Sequence, residues 1–218
     1  MKKHFIVLIL LFIITSTFAQ EKDFEPVAQF GIRQGINYSS VLFSPGINQG
    51  IKLGYTGGFV FKYSNEKNLA LQIELNFSQK GWLEDLDTLP NSYQRNLDYI
   101  ELPFLSHIYF GKRNVKFYVN IGPSAGYLIR DEIKSEITNE LYAREYYNLE
   151  IDNKFDFNVL AGLGLIIDTQ IGSFQTGFRY SLTLTDIFKY TSDSIFENSQ
   201  NQVISFSLAY YFSDNRYR

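Results

Sequence analysis

The stretch Phe155-Asp156-Phe157-Asn158-Val159-Leu160-Ala161-Gly162-Leu163-Gly164-Leu165-Ile166-Ile167-Asp168 carries the pattern that decides the fold. Successive side chains of an extended strand point to opposite sides. Phe155, Phe157, Val159, Ala161, Leu163, Leu165 and Ile167 therefore share one face, and Asp156, Asn158, Gly162, Gly164 and Asp168 share the other, with Leu160 and Ile166 as exceptions. A second stretch repeats the arrangement. Phe117, Val119, Ile121, Ala125, Tyr127 and Ile129 oppose Lys116, Tyr118, Asn120, Gly122, Ser124 and Gly126. The polar face is also the small face. A narrow barrel in a membrane needs small residues inside, where wall meets wall, and bulky apolar ones outside against lipid. A soluble ligand-binding barrel has the inverse polarity.

Working outward, the cleanest period-2 alternation is Leu71-Gln72-Ile73-Glu74-Leu75-Asn76-Phe77-Ser78. Comparable runs lie near 28–39, 54–63, 97–110, 116–129, 155–168, 173–183 and 202–212. The pattern predicts eight strands of about 10–14 residues; a tilted membrane-crossing strand needs about 9–11, whereas strands of ordinary globular domains cluster near 5–6. Connections alternate in length. Short ones are expected near 64–69, 111–115 and 169–172, and long ones near 40–53, 82–96, 130–154 and 184–201. Outer-membrane barrels show this asymmetry, with short periplasmic turns and long extracellular loops. Tyr38, Tyr55, Trp82 and Tyr127 fall near the extracellular ends. Phe30, Phe61, Tyr63, Phe110, Phe117, Phe174, Tyr210 and Phe212 fall near the periplasmic ends. Two such belts match the aromatic girdles of membrane interfaces. The expected fold is an all-β, eight-stranded antiparallel up-and-down transmembrane barrel.

Composition is compatible with this reading. Of 218 residues, 45% are hydrophobic, 17% aromatic and 20% charged, so the chain has too much apolar content for disorder. The mean hydropathy of -0.14 averages a lipid face with a polar lumen. Met1 to Ala19 reads as a cleaved signal peptide: Lys2 and Lys3, then an apolar run from Phe5 to Ile14, then Thr17-Phe18-Ala19. Residues 20–218 read as one barrel domain, placed in the cell outer membrane. There is no cysteine, which excludes disulfides, thiolate metal sites and a cysteine nucleophile. The net charge of -3, without a basic cluster, argues against nucleic acid as a partner.

Several short motifs resemble the PorT-like outer-membrane β-barrel family of Gram-negative bacteria, and the similarity spans essentially the whole chain after the leader. Gly31-Ile32-Arg33-Gln34-Gly35-Ile36-Asn37-Tyr38-Ser39 resembles the family's opening strand, and Glu74-Leu75-Asn76-Phe77-Ser78-Gln79-Lys80-Gly81 its third. Tyr99-Ile100-Glu101-Leu102-Pro103 is similar to the family's most recognisable motif; Gly122-Pro123 and Leu184-Thr185-Asp186-Ile187 also fit. Ile204 to Phe212 resembles the terminal strand that barrel-assembly machinery recognises, although Ser213 to Arg218 follow it. The resemblance implies fold and compartment. It implies no enzymatic activity and carries no catalytic residue.

The inward face collects Arg33, Lys62, Glu74, Glu101, Lys116, Asp156 and Arg179. Arg33 and Arg179 are expected at mid-height near Glu74 and Glu101, as a charge network filling the lumen, because buried charges must pair. His107 shares its face with Tyr99, Glu101 and Tyr109, but no serine is placed beside it by spacing, so no catalytic set is assigned. Pro103 and Pro123 fall inside strands and are expected at bulges. The loop at 130–153 is acidic and tyrosine-rich. Tyr142, Tyr146 and Tyr147, with Trp82 from the preceding loop, are the candidates for contact with a protein or glycan partner. No carboxylate spacing matches a metal loop, and no cofactor is expected. The expected partners are outer-membrane lipids and the assembly machinery. The function expected is a structural or interaction role. The alternatives are a soluble secreted or periplasmic barrel for a small apolar ligand, a barrel enzyme acting on outer-membrane lipid, and a small pore.

Overall fold

The computed structural model describes residues 25–85, 92–112, 114–137, 144–190 and 194–212. The expected leader at 1–19, Tyr142 and the segment after Phe212 lie outside the described residues. Eight strands follow one another: β1 (Val27–Ser44), β2 (Lys52–Glu66), β3 (Leu69–Asp85), β4 (Ser92–Lys112), β5 (Val115–Ser135), β6 (Phe155–Thr169), β7 (Gly172–Thr183) and β8 (Asn198–Phe212). In the described part of the loop between β5 and β6, Glu145–Asn148 form a 3-10 turn. Each strand pairs antiparallel with the next, and β8 returns to β1 over the register Gly31↔Tyr211 to Ser44↔Asn198. Closure gives every strand a partner on both sides within the ring, while β5 beyond Tyr127 pairs in a ladder only with β4. Val27 faces Ser64, and Phe212 faces Gly172, so the chain enters β1 and leaves β8 at the end that holds the short turns.

The face assignment follows the sequence pattern. On β6 and β5 the odd-numbered apolar residues from Phe155 to Ile167 and from Phe117 to Ile129 point outward, and the alternate residues point into the lumen. The tight curvature of the inner wall is visible at Tyr118 of β5. Its ring lies over Gly164 of β6 and Gly177 of β7, which are register partners. A Cβ at Gly164 would stand 2.7 Å from the ring, so the tyrosine fits only because those two positions lack side chains. Exposed Tyr38, Tyr55 and Tyr127 mark the extracellular belt, and Phe30, Tyr63, Phe110, Phe117 and Phe212 the periplasmic one.

Three expectations are corrected. First, β3 runs on to Asp85, and β4 and β5 are each 21 residues long, well beyond the about 9–11 needed to cross the membrane. Residues 82–85, 92–96 and 130–135 of the expected loops are therefore strand, rising above the level of Tyr127. Gly81 permits this in β3: its φ of 121° is open to glycine, and a Cβ there would meet the Arg95 carbonyl. Second, Trp82 is not part of the outer belt. It is 0% exposed and points inward, as its even-numbered neighbours do. Third, the prolines do not sit at bulges. The β3–β4 register is the same on either side of Pro103 (Ile73↔Phe104, Asn76↔Glu101), and the β4–β5 register likewise across Pro123 (Pro103↔Ser124, Ser106↔Ile121). The register shifts fall instead at Ser64/Glu66 and Asp98/Tyr99.

Candidate functional site

The inward side chains of β3 rise from the periplasmic end in the order Gln72, Glu74, Asn76, Ser78, Lys80, Trp82, Glu84, and each level has its own chemistry. At Glu74 the carboxylate receives two hydrogen bonds from Arg179 of β7, Nη2 to Oε1 at 2.7 Å and Nη1 to Oε2 at 2.9 Å. Arg33 of β1 adds a contact at 3.4 Å, while Gln72 and Asn76 donate to the two oxygens at 2.5 and 2.7 Å. Arg33 is steadied by Ser207 at 3.1 Å. A carboxylate with this many charge-assisted donors is held rigidly. One level below, Tyr211 of β8 donates to Gln72 Oε1 at 3.1 Å.

Glu101 does not join the arginines. It pairs with Lys80 at 2.6 Å, and Lys80 also holds Asp156 at 2.5 Å, so a second, separate cluster lies above the first. Lys80 lies outside the expected set because the strict apolar–polar alternation of β3 ends at Ser78. Of the remaining expected members, Lys116 pairs with Asp168 at 2.7 Å near the periplasmic mouth. Lys62 forms no ion pair among the described residues and lies against the ring of Tyr211, 4.0 Å from its centroid. The network expected as one is thus two stacked clusters and a separate mouth group. Between the two clusters remains a cavity of about 20 Å³, bordered by Arg33, Lys80, Glu101 and Arg179.

His107 is fully buried in the lumen wall, with its ring stacked on Tyr118 at 4.6 Å between centroids. Neither ring nitrogen has a hydrogen-bond partner among the described residues. A general base needs an orienting group and a nucleophile within reach.

The extracellular mouth is covered by an apolar cluster made from strand ends and loops. Phe43, Trp82, Tyr93, Leu97, Tyr147, Ile187, Phe188 and Phe196 are all buried in it. Tyr93 and Tyr147 stack at 3.8 Å with planes 11° apart, and Phe43 packs on Phe196 at 4.4 Å. Beneath them Arg95 is held by both oxygens of Asp131, at 2.8 and 2.6 Å, with its guanidinium 5.7 Å from the rings of Trp82 and Phe188. Glu84 fastens the long β5–β6 loop. It accepts from Trp82 at 3.1 Å, from Tyr146 at 2.8 Å and from Tyr147 at 3.0 Å. Burial and this carboxylate push both loop tyrosines well above the ordinary phenol range. The β7–β8 loop is fastened by Asp186, which accepts from the Ser199 N–H at 2.7 Å, and by Ser199, whose hydroxyl accepts from the Phe188 N–H at 3.0 Å. Trp82 and Tyr147 are therefore used up inside the protein instead of facing a partner, and Tyr146 is half-buried.

An eight-stranded closed ring with an apolar outer face, two aromatic belts and a lumen lined by polar side chains defines a transmembrane barrel of the bacterial outer membrane. The sequence agrees: residues 18–189 match the model of the outer membrane protein beta-barrel domain family, and the chain belongs to that family. Among solved structures it is similar to Neisserial surface protein A at 12% identity, covering 85% of this chain and 99% of that one, with a TM-score of 0.44. It is also similar to Ail, the attachment invasion locus protein of Yersinia pestis, at 12% identity, 85% and 99% coverage and a TM-score of 0.45. The outer membrane enzyme PagL gives 9% identity, 84% and 98% coverage and a TM-score of 0.46. No curated protein sequence matches the chain.

Proposed function

We propose that this barrel is a non-enzymatic, non-conducting outer-membrane platform that acts through its extracellular surface. The observation that carries the reading is the Glu74–Arg179 pair, which ties opposite walls together beside a mid-lumen cavity of about 20 Å³, room for about one water. The apolar cap lies above it and blocks a second level. A solute moving along the lumen at this level meets the buried Glu74–Arg179 ion pair. Planar-bilayer recording tests this: the purified barrel gives no stable conductance, and a large, steady one overturns the reading.

The interaction role falls to groups that the cap leaves outside. Glu145, Glu150 and Asp152 are exposed on the β5–β6 loop, and Tyr190 is exposed on the β7–β8 loop, the next one round the ring. An acidic rim with an aromatic contact suits a basic protein or a glycan. Reversing Glu145 and Glu150 to lysine abolishes capture of such a partner by intact cells. Unchanged capture of every partner overturns the role. The motifs around Tyr99-Ile100-Glu101-Leu102-Pro103 support a PorT-like branch of the family, and the Lys2 to Ala19 pattern supports export with cleavage before Gln20. Amino-terminal sequencing of membrane-extracted protein then begins at Gln20, and delivery by barrel-assembly machinery follows from the Ile204 to Phe212 strand.

A further inference from the structure

The periplasmic mouth holds a cavity of about 420 Å³, a volume in the range of small-ligand pockets. Its wall includes Lys62 of β2, Lys67 of the β2–β3 turn and Lys116 of β5, against one carboxylate, Asp168 of β6. That carboxylate is already engaged, by Lys116 at 2.7 Å and by the Ser173 hydroxyl at 2.5 Å. Lys62 is different in kind. It is only 3% exposed, forms no hydrogen bond or ion pair among the described residues, and has the Tyr211 ring face as its nearest recorded contact. A buried ammonium ordinarily has an anionic partner. Lys67 is exposed on the turn at the cavity's edge and forms no ion pair among the described residues. Gln29, Asn68 and Tyr109 add uncharged polar groups around the same space.

We propose that this cavity is a binding site for a phosphate-type oxyanion, with Lys62 at its inner end and Lys67 at its rim. Two ammonium groups with amide and hydroxyl donors in the same cavity wall match an anion of three or four acceptor oxygens better than the two of a carboxylate. Lysine serves such ligands as a point charge that needs no planar fit. The group is supplied either by a soluble phosphate compound of the periplasm or by a phospholipid headgroup of the inner leaflet. The site lies at the opposite end of the barrel from the extracellular surface and does not depend on the role proposed for it.

The test uses the full chain folded in maltoside detergent, which carries no phosphate, with heat-dependent gel mobility as the check on folding. Inorganic pyrophosphate and, separately, dihexanoyl phosphatidylglycerol are titrated by calorimetry. Saturable binding of either probe that weakens with added salt supports the proposal, and the probe that binds identifies the source. Lys62→Met lowers the affinity about tenfold or more, Lys67→Gln lowers it several-fold, and Lys189→Gln at the far end of the barrel leaves it unchanged. Should Lys62→Met fail to fold, Lys67→Gln decides the matter, because that side chain is exposed and supports nothing. No saturable binding of either probe overturns the proposal. So does wild-type affinity in folded Lys62→Met or, where that variant does not fold, in Lys67→Gln.

Discussion

Glu74 on β3 and Arg179 on β7 stand four strands apart in a ring of eight, so their paired hydrogen bonds at 2.7 and 2.9 Å span the full diameter of the barrel. Removing one partner of a buried pair leaves the other charge uncompensated. Glu74→Gln strands two guanidinium groups and is expected to cost about 3–5 kcal/mol of stability in urea unfolding from phospholipid vesicles. Combined with Arg179→Met the losses fall short of additivity by about 0.5–3 kcal/mol. Strict additivity would mean the pair contributes nothing as a pair.

The chain has one tryptophan, and it lies within the extracellular cap, so its fluorescence reports that cap alone. Glu84→Ala removes the common acceptor of Trp82, Tyr146 and Tyr147. The expected cost is about 1–3 kcal/mol, localised to the β5–β6 loop. Trp82 emission moves to longer wavelength and tryptic cleavage after the exposed Arg144 accelerates, while heat-dependent gel mobility stays that of a folded barrel.

Alkaline pH acts on the same contact. Tyr146 and Tyr147 have phenols raised by burial and by the Glu84 carboxylate, so folding favours their neutral forms. Their contribution is complete below the unfolded phenol value of about 10 and is lost as pH rises through the higher folded values. The cap therefore loosens only above about pH 10, read as a change in Trp82 emission. In the Tyr146→Phe, Tyr147→Phe double variant this transition disappears.

Depth on the outer face sets the cost of a charge there. Ile121 lies between the belts marked by Phe117 and Tyr127 on β5, whereas Ile171 sits in the β6–β7 turn. Ile121→Arg is expected to cost about 2–4 kcal/mol and Ile171→Arg about 0–1 kcal/mol, measured by urea unfolding in vesicles. Equal costs at the two positions would contradict the placement of the belts.

Much of this was legible in the residues themselves. The alternation from Phe155 to Asp168 defined both faces, and glycines on the polar face announced the narrow lumen where Tyr118 lies across Gly164 and Gly177. What escaped was continuity. Glu74, Asn76, Ser78, Lys80, Trp82 and Glu84 share one parity, and carrying the count past Gly81 would have placed Lys80 and Trp82 inside. A glycine followed by a tryptophan and acidic residues resembles the start of a loop, and nothing local says that the hairpin continues. The partner choice of Glu101 was unreadable for another reason. It depends on strand tilt and shear, which decide whether Lys80 or Arg33 stands at its height, and period-2 counting contains no information on stagger between strands.

The seam between β1 and β8 carries a consequence for biogenesis. The first-made strand, Val27–Ser44, finds its last neighbour only when Asn198–Phe212 has been synthesised, so every ladder bond of the register from Gly31↔Tyr211 to Ser44↔Asn198 is a contact between the two ends of the barrel sequence. Contacts of such separation close slowly, because the loop entropy is lost before they form. Until they form, an unfinished sheet offers two raw backbone borders and a charged inner surface to hydrocarbon that can satisfy neither. Insertion is therefore all or nothing, and a truncated translation product has no stable resting place in the bilayer.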